Sequence, residues 1–271
     1  MTKIKGSRIV ITGAGSGIGE ATALRAAKAG ASEVVCVDIN FASAQETAAA
    51  CEGLGATATA WHCDVADRAS VQQLADAIES ECGTVDVLVN NAGVGLGGPF
   101  LQASVEDWDW LIGINLNGVA YGCHAFGAAM VKRGAGHVVN IASGAAYLMS
   151  RDMAAYCASK AGVVALSRCL RADWASSGVG VSVICPGVIN TPIAAATRMV
   201  GELADRQDKV VSAFRYGHSP EIVAKAILKA TEHNTELQPV GFESELAYRL
   251  LPLVPGPIRG ALTRAPLHKL T

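Results

Sequence analysis

Six short runs of apolar, largely β-branched residues, separated by stretches of helical character, constrain this chain more than any other feature. They are Arg8-Ile9-Val10-Ile11-Thr12, Val34-Val35-Cys36-Val37-Asp38, a segment ending Trp61-His62-Cys63-Asp64-Val65, and residues 85–90, 137–143 and 181–187. Central strands of a parallel sheet are buried on both faces, so they read as continuous apolar runs and do not alternate. Helical stretches fill the gaps, one ending near residue 29, then about 42–54, 69–81, 105–132, and one from before Tyr156 to about 176. This order predicts an α/β fold, a doubly wound parallel sheet with helices on both faces. A short strand at residues 237–240 would bring it to about seven strands. Ligands of such sheets bind beyond the carboxyl ends of the strands. Asp38, Asp64, Asn90 to Gly93, Ser143, Pro186 and Gly187 all fall at those ends.

Composition narrows the classes of function. At 271 residues, 51% hydrophobic and 17% charged, the chain is expected to form one generous domain over residues 1–271. A net charge of −2 without any Lys/Arg run argues against nucleic acid as a partner. Eight cysteines without a Cys-x-x-Cys pair read as buried free thiols in a reducing cytoplasm, and six histidines without ligand spacing give no metal site. The N-terminal residues lack a signal-peptide pattern. Residues 110–131 carry no charge and are long enough to span a bilayer, but Asn115, Asn117, His124 and recurrent glycine favour a buried helix. Ser104-Val105-Glu106-Asp107 ahead of it reads as a capping box with Asp in place of Glu. Residues of about 191–217 carry no strand signal and are read as a lid over the substrate. The apolar, proline-broken tail of about 242–271 would cover the same mouth, make a subunit contact or lie against a membrane surface.

Two constellations carry chemistry. The first strand runs into Gly13-Ala14-Gly15-Ser16-Gly17-Ile18-Gly19 and then a helix, a unit in which glycines let the backbone approach a pyrophosphate at a helix N-terminus. Asp38 ends the next strand about twenty residues on, where an adenosine ribose would sit. The second is Tyr156-Cys157-Ala158-Ser159-Lys160, whose phenol and ammonium lie one helical turn apart. A tyrosine base at neutral pH needs its pKa lowered by about three units, or roughly 4 kcal/mol, which a cation about 4 Å away supplies at an effective dielectric of about 20. Cys157 reads as a small apolar filler.

Taken together, Thr12 to Gly19, Asp64-Val65, Asn90-Asn91-Ala92-Gly93, Asn115, Ser143, Tyr156-x-x-x-Lys160 and Pro186-Gly187-Val188-Ile189-Asn190-Thr191 stand in one order and register, with Ser143 thirteen residues ahead of Tyr156. Over roughly residues 6–240 the chain resembles the classical short-chain dehydrogenases/reductases. The resemblance implies a Rossmann-type sheet binding a nicotinamide dinucleotide through Gly13, Ser16, Gly17, Ile18, Gly19, Asp38, Ile39, Asp64, Val65, Asn91, Ala92, Gly93, Tyr156, Lys160, Pro186, Gly187, Ile189 and Thr191. It implies that Tyr156 exchanges the proton at the substrate oxygen and that Ser143 holds that oxygen. Lys160 would lower the Tyr pKa and grip the nicotinamide ribose, and Asn115 would keep open a water path to solvent. Asp64 would bond the adenine, and Ile189 and Thr191 would clamp the carboxamide.

The expected cofactor is NAD. Asp38 can accept both ribose hydroxyls and repels a 2′-phosphate, and Ile39 and Ser16 occupy places where NADP-users of this family commonly carry Arg or Lys. The expected substrate is a lipophilic secondary alcohol or ketone, on the strength of Leu96, Phe100, Ala145, Ala146, Leu148, Met149, Met153, Ile193 and Ala194 to Ala196. The rivals are an NADPH-dependent biosynthetic reductase, and a non-catalytic NAD-binding sensor or scaffold, which would be free to lose Tyr156 or Lys160. Many relatives close with a Val-Asp-Gly-Gly-like run that builds a tetramer, whereas here Gln238-Pro239-Val240-Gly241-Phe242-Glu243-Ser244 stands. A homodimer through the long helix and the Tyr156 helix, or a homotetramer, is expected.

Overall fold

The computed structural model describes residues 2–264, so the last part of the expected tail lies outside the described residues. The elements are β1 (Arg8–Thr12), α1 (Gly17–Lys28), β2 (Glu33–Asp38), α2 (Phe41–Glu52), β3 (Thr57–His62), α3 (Arg68–Glu81), β4 (Val87–Asn90) and β5 (Leu96–Gly97). There follow α4 (Val105–Ile112), a π-helical turn (Gly113–Asn117), α5 (Gly118–Arg133), β6 (Gly136–Ile141), α6 (Ala154–Asp173) and β7 (Val179–Pro186). The chain ends with α7 (Ile193–Ala196), β8 (Arg198–Met199), α8 (Gln207–Phe214), α9 (Pro220–His233), β9 (Leu237–Val240), α10 (Phe242–Leu250) and α11 (Gly256–Thr263).

Seven parallel strands form one sheet in the order β3-β2-β1-β4-β6-β7-β9. The chain builds outward from β1 in one direction and then, from β4, in the other. The reversal leaves a crevice at the carboxyl ends of β1 and β4, where such sheets take their ligands. Two buried clusters fill the two faces. Ala23, Ala26, Ala27, Ala44, Ala48, Val223 and Ile227 from α1, α2 and α9 pack on one face. Val71, Leu74, Ile78, Val119, Phe126, Met130 and Val163 from α3, α5 and α6 pack on the other.

Local chemistry sets the helix ends. Asn40, Asp67 and Ser219 accept backbone N–H bonds at the starts of α2, α3 and α9, with Pro220 opening α9, and Ser104 and Asp107 complete the expected capping box of α4. The long helix of residues 105–132 is real but interrupted. The π-helical turn holds one residue more than an α-turn and carries Asn115, which is fully buried. Only one face of α5 is buried, through Val119, Cys123, Phe126 and Met130, while His124, Ala128 and Val131 lie open. No helix among the described residues is long and apolar enough to cross a membrane. Residues 191–217 are not strandless, because Arg198 and Met199 pair in parallel with Leu96 and Gly97 as a separate two-stranded sheet. Pairs that short leave no periodic signal in a sequence.

Candidate active site

The cleft at the β1/β4 reversal encloses about 320 Å³. Its lining includes Gly13, Ser16, Gly17, Ile18, Asp38, Ile39, Asp64, Val65, Asn91, Ala92, Gly93, Ser143, Tyr156, Lys160, Pro186, Gly187, Ile189 and Thr191. Of the expected site residues, Gly19 and Asn115 stand just behind this lining. A Cβ on Gly19 would lie 2.0 Å from the Gly13 carbonyl oxygen, so a bare backbone is what lets the turn fold this tightly. Ser16 takes the N-cap of α1 without a side-chain cap bond, in contrast to α2, α3, α4 and α9. The N–H groups of the first turn therefore face the cleft unclaimed by a side chain, a site suited to an anion. These features fit a dinucleotide phosphate.

Around that turn the protein is stitched across the two halves of the sheet. Asn91 Nδ2 donates to the Thr12 carbonyl at 2.9 Å, and Thr12 Oγ1 accepts the N–H groups of Asn91 and Ala92 at 3.0 and 3.1 Å. Asp38 is braced by its own neighbours, Oδ2 accepting the Gly15 N–H and Oδ1 the Asn40 N–H, each at 2.9 Å. Each oxygen retains a lone pair for a further donor. Lys160 is the one Lys or Arg in the cleft lining. Asp64 accepts the Ala66 N–H at 2.9 Å, a local turn contact that a purely structural aspartate would also make.

Tyr156 and Lys160 both project from α6 toward the ends of β6 and β7. Ser143, just past β6, shares the cleft lining with Tyr156, and its Oγ donates to the Pro186 carbonyl at 3.5 Å and accepts the Ala145 N–H at 3.2 Å. Lys160 Nζ donates to the Ile141 carbonyl at 3.1 Å and lies 5.8 Å from the centre of the Tyr156 ring. Burial lowers the Lys160 pKa to about 8. Burial also raises the Tyr156 pKa above its ordinary value, against the smaller pull of Ser143. Desolvation of the phenol is the largest influence on it here. Asn115 is held by its amide: Oδ1 accepts the Val94 N–H at 2.8 Å, while Nδ2 donates to the Val94 carbonyl at 2.9 Å and to Ser159 Oγ at 3.3 Å.

The expected apolar wall is met in part. Ile193 and Ala196 line the cleft, joined by Val94, Pro192 and Phe214. Leu96 instead packs with Leu111 and Ala155 beneath α4, and Phe100 lies exposed with its edge on Trp108. Leu148 and Met149 are exposed as well. Phe214 was not foreseen. It is an aromatic at the end of an amphipathic stretch, and only the fold of residues 191–217 turns it inward. No described residue of the tail lines the cleft.

The comparisons with known proteins fit this architecture. Residues 7–200 match the short chain dehydrogenase family, and the chain belongs to it. A crystal structure of a short chain dehydrogenase/reductase from Burkholderia phymatum in complex with NAD superimposes with a TM-score of 0.86, at 33% identity and 98% coverage of both chains. D-threitol dehydrogenase of Mycolicibacterium smegmatis is 40% identical over 230 residues, 85% of this chain and 88% of that one. The probable oxidoreductase EphD of Mycobacterium tuberculosis is 40% identical over 261 residues, 93% of this chain, but the match spans only 44% of EphD's length.

Proposed function

We propose that the chain is an NAD-dependent oxidoreductase that moves a hydride between the nicotinamide and a secondary alcohol or its ketone, acting in the cytoplasm as a homodimer or homotetramer. The observation that carries this reading is the cleft, which joins a glycine turn, an acid at the end of β2 and a Ser–Tyr–Lys group in one cavity. The eight cysteines, all free, suit a reducing compartment.

In this reading Tyr156 gives its proton to the carbonyl oxygen in reduction and removes it from the hydroxyl in oxidation. Ser143 holds the same oxygen by a hydrogen bond that strengthens as charge develops. Lys160 anchors the nicotinamide ribose, and its charge, shielded little by solvent at 4% exposure, favours the phenolate. A bound nicotinamide dinucleotide would supply the hydride or accept it. Asn115 fixes the Val94 peptide at the inner edge of the cleft and keeps the proton path in place. Asp38 takes the adenosine ribose hydroxyls. The relative from Burkholderia phymatum holds NAD, which supports the same choice here. Initial rates with NAD and NADP test it, and equal or better kcat/KM with NADP overturns the choice.

For the substrate, Val94, Ile193, Ala196 and Phe214 offer apolar area and no charge. Such walls gain affinity at about 25 cal/mol per Å² buried, so a lipophilic secondary or allylic alcohol of steroid, retinoid or terpenoid kind is the leading class. A small polyol is the second reading, favoured by the likeness to a D-threitol dehydrogenase. Matched apolar and polyhydroxy alcohols decide between them by kcat/KM.

A further inference from the structure

The stretch that departs from the family's common ending, Gln238 to Ser244, builds a brace against the cleft. Gly187 N–H donates to the Val240 carbonyl at 2.8 Å as β9 lies along β7. Gly241 then turns the chain at φ 95°, and α10 begins beside the segment that leaves β7. Glu243 reaches back from its first turn. Oε1 accepts the Val188 N–H at 2.7 Å, and Oε2 lies 3.0 Å from His218 Nε2. A carboxylate has no proton to give, so the ring nitrogen is the donor. His218 is tied to the same segment through its own backbone, donating to the Val188 carbonyl and accepting the Asn190 N–H, each at 2.9 Å. Residues 188–190, His218 and Glu243 therefore close a ring of bonds.

The fit at this point is tight. A Cβ on Gly187 would lie 2.1 Å from Glu243 Oε1, so the carboxylate and the loop backbone meet only because residue 187 has no side chain. Burial works to raise the Glu243 pKa, but bonds from its own N–H, from Val188 N–H and from His218 outweigh it, so the group is held as a carboxylate. The next residue, Ser244, donates to the Cys185 carbonyl at 2.7 Å and meets the Tyr147 hydroxyl, four residues beyond Ser143. One turn of α10 thus grips both loops that frame the cleft at Ser143 and Gly187.

We propose that Glu243 is a positioning residue for the dinucleotide, its carboxylate fixing the Gly187–Val188 peptide and through it the rim formed by Ile189 and Thr191. The proposal rests on the reading that this cleft binds a nicotinamide dinucleotide. A loop left unbraced pays its ordering entropy when the ligand arrives, so affinity falls while the chemistry at Tyr156 stays intact.

The test is NADH binding followed by fluorescence, with steady-state rates in NAD, for wild type, Glu243→Ala, Glu243→Gln, Glu243→Asp and Glu245→Ala. Glu245 pairs with Arg249 on the exposed side of α10 and is the control. Glu243→Ala is expected to raise the Kd for NADH and the KM for NAD about tenfold with kcat changed less than about twofold. Glu243→Gln keeps an acceptor for the Val188 N–H and should return within about threefold of wild type. Glu243→Asp keeps the charge but shortens the reach, and should weaken binding even if the Ala variant does not fold. A lower Tm with unchanged Kd in both the Ala and Asp variants overturns the proposal while leaving the dinucleotide reading intact. Wild-type protein that binds neither NADH nor NADPH overturns that reading and the proposal with it.

Discussion

Lys160 shows what the site costs the protein. The residue is 4% exposed and its pKa falls from 10.5 to about 8, which corresponds to roughly 3 kcal/mol of instability in the charged form. The sign follows from proton binding. Between those two values the unfolded chain binds more protons than the folded one, so this group's contribution to stability rises with pH through the window and its penalty is complete below about 8. Lys160→Met removes the charge and loses the bond to the Ile141 carbonyl, worth about 1 kcal/mol. The variant is expected to be inactive yet about 2 kcal/mol more stable than wild type at neutral pH without cofactor, with the gap closing as pH approaches the unfolded value. Urea midpoints measured across that range check it, and a gap independent of pH contradicts the buried-charge account. Tyr156→Phe removes only the proton-transfer group. Turnover should fall by about a hundredfold or more while NADH binding stays within about twofold. Retention of a tenth or more of the activity would assign the proton to another group.

At the scale of elements, the strands were legible because burial on both faces leaves an unambiguous apolar run, and residues 237–240 fall on the very strand that the sequence marks. The cap at Ser104 was legible for a similar reason, since a short polar side chain before an apolar stretch has few other uses. The π-helical turn was not. Its Gly-Ile-Asn-Leu-Asn differs from an α-turn only in where Asn115 must aim, and that depends on Val94, distant in sequence. The grip of α10 on the cleft was equally hidden, because it couples Glu243 to a backbone N–H at Val188 that no sequence pattern marks. Asn115→Ala leaves the Val94 N–H and carbonyl without these partners, at a cost of about 1–3 kcal/mol for each unsatisfied group. A lower Tm together with reduced kcat is expected. A loss of kcat with Tm unchanged would show that the amide acts on the proton path alone and does not hold the peptide.

For the whole molecule, the open sides of α5 and α6 matter most. Both lie on the same face of the sheet, with Leu116 at the π turn packed on Gly162 of α6 and Gly127 of α5 packed under the Trp174 ring. Their outward residues, Ala128 and Val131 on α5 and Ala158, Ala165 and Ala172 on α6, are exposed, small and uncharged. Arg168, paired with Glu236, is the charged member of that stripe on α6, and the small uncharged positions around it leave room for a second copy, in agreement with the pairing proposed above. α6 also carries Tyr156 and Lys160, and pairing along its outer side would hold that helix against the sheet from behind. Ala165→Glu places a charge where two copies would meet, and burying it unpaired is unfavourable. The variant should therefore elute as a single chain in size-exclusion chromatography with light scattering, and its activity should fall on dilution. Ala50→Glu, on the exposed side of α2, should leave both unchanged. An Ala165→Glu protein with the mass and activity of the wild type would move the contact between copies to another surface.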